Sequence, residues 1–450
     1  MANKPILYTD LVLNQESDIL SEPIFDLFFD ESKYETKERG TLSVLSLFSG
    51  CGGMDLGLEG GFICHRKSVT NKDWIDFKVK ENWIMLRRNV FRTVFACDIM
   101  KEAKLAWLNY MSRFHVNPDV YHLESVVDLV KLENSGINVF PKNVDIVTGG
   151  FPCQDFSVSG KRRGFKSTVS HKGYKICDEK ASEETRGKLY TWMKQVIDIV
   201  RPKMFIAENV KGLVSLGDVK EIIQKDFSSA NGDDYIVLDP QVLHAGNYGV
   251  PESRERVIFI GIKRSALNEN ALRALEKKNI PDEYNPYPSP THGFNVEDNG
   301  LAKPVTCKDV LSDLPEPENS DDLSQRHFSA AKYLGNGTQG QTEINIDGLG
   351  PTIRSEHHGN IEFRRLSLEH GGKNKEELDK GLKERRLTPR ECALIQTFPP
   401  DYSFVLKSSL SRKYAVSPSV AYKVIGNAVP PLLAYNIAKR IEKLWSLYFD

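Results

Sequence analysis

The sequence predicts an α/β protein: a mostly parallel sheet covered by helices on both faces, with a second, smaller, loop-rich domain. Three observations carry this expectation. Short apolar runs rich in β-formers recur: LSVLSLF (Leu42 to Phe48), TVFACD (Thr93 to Asp98), NVDIVTGG (Asn143 to Gly150), KMFIAEN (Lys203 to Asn209) and RVIFIGI (Arg256 to Ile262). Segments with helical spacing lie between them, such as KEAKLAWLNYMSRF after Asp98 and LYTWMKQVIDIV (Leu189 to Val200). Strands alternating with helices imply a parallel sheet buried on both faces. After Ile262 the alternation stops, and Pro, Gly and Asn dominate stretches such as PDEYNPYPSPTHG and YLGNGTQGQTEINIDGLGP.

These shifts divide the 450 residues into four parts. Residues 1–40 are a weakly patterned lead segment, with one short helix expected around Pro23 to Phe29. Residues 41–262 form the first domain and 263–385 the irregular second one. Residues 386–450 end in an amphipathic helix, about Pro430 to Leu447, and return to the first domain. Hydrophobic residues make up 40% and charged residues 27%, as in soluble globular proteins. No apolar window is long enough to span a bilayer, and MANKPILYTD has no secretory pattern. The seven cysteines are scattered without a CxxC pair, so no metal site is expected and a reducing, cytoplasmic compartment fits. The net charge of −1 neither favours nor excludes nucleic acid, because a binding groove needs only a local basic surface.

Two segments carry the chemistry. In LFSGCGGMDLGLEGGF (Leu47 to Phe62) a strand runs through glycines 50, 52 and 53 into a helix. Such a turn lets the backbone approach a ligand closely, and the next strand ends in Asp98, where an acidic residue commonly holds ribose hydroxyls. In DIVTGGFPCQDFSVSGKRRGF (Asp145 to Phe165) a buried strand breaks at two glycines, and Cys153 follows Pro152 at its mouth. A cysteine on a loop at a strand end is reachable as a nucleophile. Behind it, Lys161, Arg162, Arg163 and Lys166 can meet phosphates while Gly160 and Gly164 give the loop freedom.

The glycine turn is not the GxGxxG of dinucleotide enzymes; F-x-G-x-G-G resembles the S-adenosylmethionine turn of the DNA (cytosine-5)-methyltransferases. GGFPCQDFS resembles that family's nucleophile motif, ENV (Glu208 to Val210) its glutamate motif, and NYGVPESRERVIFIG (Asn247 to Gly261) its arginine motif. RRLTPRECALIQTFP and VIGNAVPPLLA (Val424 to Ala434) resemble its two C-terminal motifs. All stand in the family's order. The resemblance implies a Rossmann-like, S-adenosylmethionine-dependent methyltransferase fold, with 263–385 as a target-recognition domain. Cys153 would add to cytosine C6, Glu208 would assist at N3, and Arg254 and Arg256 would hold the base O2 and a phosphate. S-Adenosyl-L-methionine would meet Phe48, Ser49, Gly50, Cys51, Gly52, Gly53, Asp98, Ile99, Glu124, Pro152, Leu189, Asn427 and Ala428. Double-stranded DNA would meet Gln154, Ser157, Lys161, Arg162 and Arg163, with Arg354, Arg364 and Arg365 as candidate readers of base edges. The target atom lies inside the stack, so the base must be flipped out.

The layout resembles bacterial restriction-modification enzymes. That implies a monomer near the nucleoid, with a cognate restriction endonuclease as a functional rather than physical partner. Three features depart from the family pattern: Glu252 stands where Gln is usual, 62–92 is a long basic-aromatic insertion, and Ser167 to Thr185 extends the loop after the nucleophile. Glu252 is expected to point away from phosphate or to pair with an arginine. The alternatives are a tRNA cytosine-5 methyltransferase of the same fold, a non-catalytic DNA-binding relative and a nicotinamide enzyme. The long second domain, the presence of Cys153 and Glu208, and the absence of GxGxxG respectively weigh against them.

Overall fold

The computed structural model describes residues 40–114, 116–152, 188–215, 217–294, 300–335, 339–355, 361–408 and 413–450. In chain order its first strands are β1 (Leu42–Leu47), β2 (Ile63–His65), β3 (Ile75–Lys78), β4 (Trp83–Leu86), β5 (Phe91–Cys97) and β6 (Tyr121–His122). They continue with β7 (Ile146–Gly150), β8 (Met204–Val210), β9 (Tyr235–Val237), β10 (Gln241–His244) and β11 (Glu255–Lys263). One sheet runs in the order β10-β11-β8-β7-β1-β5-β6, with β9 also beside β11. Strands β8, β7, β1, β5 and β6 are mutually parallel. β11, expected from its apolar run to repeat the parallel pattern, is antiparallel to β8 because β10 delivers it through a reversing turn.

Alternation along the strands explains why both faces are apolar. In Val44/Leu45, Ile146/Val147, Phe205/Ile206 and Val257/Ile258, the two neighbours belong to different core clusters, one on each side of the sheet. The first cluster is completed by the helices Gly53–Glu59, Lys101–Met111 and Pro431–Phe449. The second is completed by Val126–Asn134, Leu189–Val200 and Val219–Ser228. Leu189–Val200 buries Tyr190, Met193, Val196 and Ile197, which share one helical face. It stops at Arg201, which adopts a left-handed conformation (φ 52) before Pro202.

The C-terminal helix returns to the first segment at close range. A Cβ on Gly57 would meet the Cβ of Ala434 at 2.3 Å and the carbonyl oxygen of Pro431 at 2.5 Å, so only glycine permits this helix contact. Apolar residues from within 263–385, including Cys307, Val310, Leu311, Ile344, Ile353 and Ile361, join the same cluster as the C-terminal segment. The insertion 62–92 is a β excursion, a three-stranded antiparallel sheet in the order β2-β4-β3. It packs Phe62 and Trp74 edge-on against Tyr435, with ring centroids 5.8 and 5.6 Å apart. The lead-segment helix and the extension Ser167 to Thr185 lie outside the described residues. No helix among the described residues is long and apolar enough to cross a membrane.

Candidate active site

The carboxyl ends of β1, β5, β7 and β8 open into a cavity of about 390 Å³, a size suited to a small-molecule ligand. On one side stands the glycine turn. Phe48 (φ 54) and Gly50 (φ 55) are both left-handed, a conformation that costs a residue with a Cβ about 1–3 kcal/mol. The turn is held by its neighbours: Ser49 N–H donates to Cys97 O at 2.9 Å, and Gly50 N–H to Asp98 Oδ2 at 3.1 Å. Tyr121 OH donates to Gly50 O at 2.8 Å, and Tyr402 OH to Cys51 O at 2.6 Å.

Phe48, Ser49, Gly50, Gly53, Asp98, Ile99, Glu124, Pro152, Leu189, Asn427 and Ala428 line this cavity. Two expected cofactor residues do not. The Cys51 thiol is fully buried and faces Val424 O at 3.3 Å, and a Cβ on Gly52 would run into the Trp107 ring at 2.5 Å. The sequence motif includes them because they build the turn from behind.

The donor set fits a nucleoside-bearing cofactor. Carboxylates follow β5 (Asp98) and β6 (Glu124) beside the apolar side chains of Phe48, Ile99, Val126 and Leu189. Burial pushes the Asp98 carboxyl up, while backbone N–H groups from Met100 and Gly50 pull it back. The Thr148 hydroxyl is buried at the cavity and has no hydrogen-bond partner among the described residues. A Cβ on Gly50 would meet nothing within 4 Å, so the turn leaves open space on its ligand side.

On the other side, parallel pairing of β7 with β8 sets Gly150 directly beside Glu208. A Cβ on Gly150 would lie 2.9 Å from Glu208 Oε2, so the second glycine of TGGFPC clears space for the carboxyl. Arg256 Nε lies 2.7 Å from Glu208 Oε1, and both side chains are 10% exposed. Burial raises the Glu208 pKa, and Arg256 and then Arg254 oppose that rise. Asn209 Nδ2 donates to Phe151 O at 3.1 Å, anchoring the chain two residues before Cys153. Cys153, Gln154, Ser157, Lys161, Arg162 and Arg163 lie outside the described residues.

The arginines separate into groups that sequence alone did not distinguish. Arg256 reaches the cavity. Arg254 does not: it is fully buried and donates to the carbonyl oxygens of Ile353, Gly426 and Ala428. Its expected hold on the base is therefore corrected. Glu252 pairs with it at 3.4 Å, which fulfils the expectation that this carboxylate meets an arginine. Arg354 lines the cavity and pairs with Glu362 at 2.9 Å. Arg364 and Arg365 are corrected as readers of DNA. Arg365 is 1% exposed and bound by Glu316 and Glu377, and Arg364 pairs with Glu377.

Sequence reasoning missed Asp55. It is buried under the glycine turn and accepts from Ser46 Oγ at 2.6 Å and from Trp107 Nε1 at 2.7 Å. Burial lifts its pKa to about 6 against those two hydrogen bonds. An acid within the apolar run of GMDLGLE was the one signal for it. Thr148, Lys423, Thr352, Ile353 and Ser355 were likewise missed as parts of the cavity wall. Among the described residues no cluster of His, Cys, Asp or Glu could hold a metal ion.

A glycine turn and a buried carboxylate–arginine pair in one cavity, on a mostly parallel sheet, define a methyltransferase of the Rossmann-like class. The model of the C-5 cytosine-specific DNA methylase family matches residues 42–443, and the chain belongs to that family. It is 30% identical to the type II methyltransferase M.BsuRI of Bacillus subtilis, over 98% of this chain and 90% of that protein. It is also 30% identical to M.BspRI of Lysinibacillus sphaericus, over 97% and 89%. Among solved structures, a DNA modification methyltransferase encoded in an E. coli prophage shares 20% identity with a TM-score of 0.51, covering 90% of this chain and 99% of that one. The S. pombe Dnmt2 methyltransferase shares 16% with a TM-score of 0.52 and the same coverage. At those identities the likeness concerns the fold.

Proposed function

We propose that the protein methylates C5 of cytosine at a specific site in duplex DNA, taking the methyl group from S-adenosyl-L-methionine. The observation that carries this reading is the buried Glu208–Arg256 pair beside Gly150, in the same cavity as the glycine turn. Family membership supports the reaction, and the names of the type II relatives support a restriction-modification setting. In that setting the enzyme acts as a monomer near the nucleoid and shields DNA from a cognate endonuclease. Residues within 263–385 supply target recognition.

Cytosine C5 is a poor nucleophile. In the proposed reaction the Cys153 thiolate forms a bond to C6, and the displaced electron pair moves toward N3. Glu208, kept protonatable by burial, gives or shares a proton at N3. Arg256 holds the Glu208 carboxyl in register through Nε and donates from Nη1 to Glu255 O at 2.8 Å, and its Nη2 is the group that would meet the base O2. The ring is then an enamine at C5. S-Adenosylmethionine, when bound along Phe48 to Gly50, Asp98 and Asn427, supplies an electrophilic methyl group. Loss of the C5 proton to water, departure of the Cys153 thiolate from C6 and return of the N3 proton to Glu208 restore the neutral aromatic ring. The base reaches this cavity by rotating out of the duplex, at a cost of about a few kcal/mol offset by backbone contacts.

Bisulfite sequencing of DNA from cells expressing the protein tests the reading. One short sequence with a protected cytosine is expected. DNA with no protected site would contradict it.

A further inference from the structure

One buried side chain ties two walls of the cavity together. Arg254 lies on the turn into β11, and its guanidinium donates to Ile353 O at 2.8 Å and to Gly426 O and Ala428 O at 2.7 Å each. Glu252 stands 3.4 Å from the same guanidinium and accepts the Ile353 N–H at 2.7 Å. Both side chains are 0% exposed. The pair therefore takes both backbone groups of Ile353.

The two segments joined here differ in role. Ile353 sits between Thr352 and Arg354, which line the cavity from within 263–385, while Gly426 and Ala428 flank Asn427 in the motif assigned to the cofactor. They are in direct backbone contact: a Cβ on Gly426 would meet the carbonyl of Arg354 at 2.2 Å. Three carbonyl oxygens from two distant segments thus share one planar cation. Charge-assisted bonds of this kind are strong and directional, and a lysine ammonium does not reproduce the fork that makes them.

We propose that Arg254 is a positioning residue that couples the cofactor turn at Gly426 to Ala428 with the wall formed by Thr352 to Ser355. Cofactor and duplex DNA then each favour binding of the other. The inference rests on the reading of this cavity as the shared site of cofactor and flipped base. A ligand that orders one segment fixes, through the guanidinium, the position of the other. Coupling between two such sites is reciprocal and spans roughly 5- to 150-fold in affinity.

The test is calorimetric titration of the protein with S-adenosylhomocysteine, alone and with a long unmethylated duplex of mixed sequence, which contains short target sites whether or not methylation has been observed. The wild type is expected to bind about tenfold more tightly with DNA present. Arg254→Lys is expected to bind with the same affinity in both conditions. Arg256→Lys, which alters the base side of the cavity but not the tie, is expected to keep the tenfold ratio while losing turnover. Should Arg254→Lys fail to fold, Glu252→Gln removes the charge beside Arg254 yet keeps an acceptor for Ile353; its ratio should drop to about threefold. A wild-type ratio of one, or a full ratio in whichever of these tie variants folds, overturns the proposal. Methylation without coupling sinks this inference alone, whereas coupled binding without methylation sinks the proposed function instead.

Discussion

Arg256 Nε and Glu208 Oε1 are 2.7 Å apart at the end of two antiparallel strands, inside a cavity whose far wall is the glycine turn. Burial raises the Glu208 pKa; the guanidinium opposes that rise and fixes where its oxygens point. The pair thus sets both the availability and the direction of a proton. Glu208→Gln should lower kcat by about 10²- to 10⁴-fold, the usual range for a positioned general acid, with cofactor affinity retained. A kcat within a few-fold of wild type would remove Glu208 from the mechanism.

Gly150→Ala tests the same carboxyl from the neighbouring strand. The added methyl would lie 2.9 Å from Glu208 Oε2, and either the carboxyl or the strand end must shift. A misplacement of this size at a reacting group costs on the order of 10²-fold in rate. Single-turnover methyl transfer should slow accordingly, while thermal stability changes little. Unchanged single-turnover rates would mean that Glu208 has no fixed role.

The buried acid beneath the glycine turn should make stability depend on pH. Asp55 has a folded pKa of about 6, above its ordinary unfolded value of about 3.9. The folded state therefore holds this proton more tightly. Its contribution is fully present below about pH 4 and is lost as pH rises through about 6. Asp55→Asn keeps an oxygen for Trp107 Nε1 and an amide for Ser46 Oγ but cannot ionise. Tm measured across that interval should fall less steeply with pH in the variant. An unchanged slope would show that Asp55 does not titrate there.

The arginines offer a contrast between stability and DNA binding. Arg365→Ala removes one of two arginine partners from Glu316, which keeps Arg385, and from Glu377, which keeps Arg364, a loss of about 1–3 kcal/mol in charge-assisted hydrogen bonds. Tm should fall, while the salt dependence of DNA binding stays as in the wild type. Replacing Lys161, Arg162 and Arg163 together by Ala should do the reverse. The slope of log affinity against log salt should then decrease by about 0.9 for each phosphate that is no longer neutralised. If Arg365→Ala alters the salt slope, its ion pairs open on DNA.

Much of this architecture is legible in the sequence because it rests on local pattern. Leu189–Val200 declares itself by helical spacing, and β1, β5, β7 and β8 by apolar runs ending in glycine or acidic residues. What stays hidden depends on partners distant in the chain. Arg364 and Arg365 look like DNA contacts until Glu316 and Glu377 fold against them. Arg254 and Arg256 are two residues apart on a strand entry, yet one faces the cavity and the other the carbonyls of Ile353, Gly426 and Ala428. The direction of β11 was equally unreadable, since an apolar run looks the same in parallel and antiparallel pairing.

The central claim is that this chain transfers a methyl group to cytosine C5 in duplex DNA through Cys153. Incubating purified protein with S-adenosylmethionine labelled in the methyl group, and with either duplex DNA or tRNA, measures it directly. The account predicts label in 5-methylcytosine of the duplex, none in tRNA, and none in either with Cys153→Ala, whose cofactor binding persists. Label confined to tRNA, or full labelling of DNA by Cys153→Ala, would contradict it.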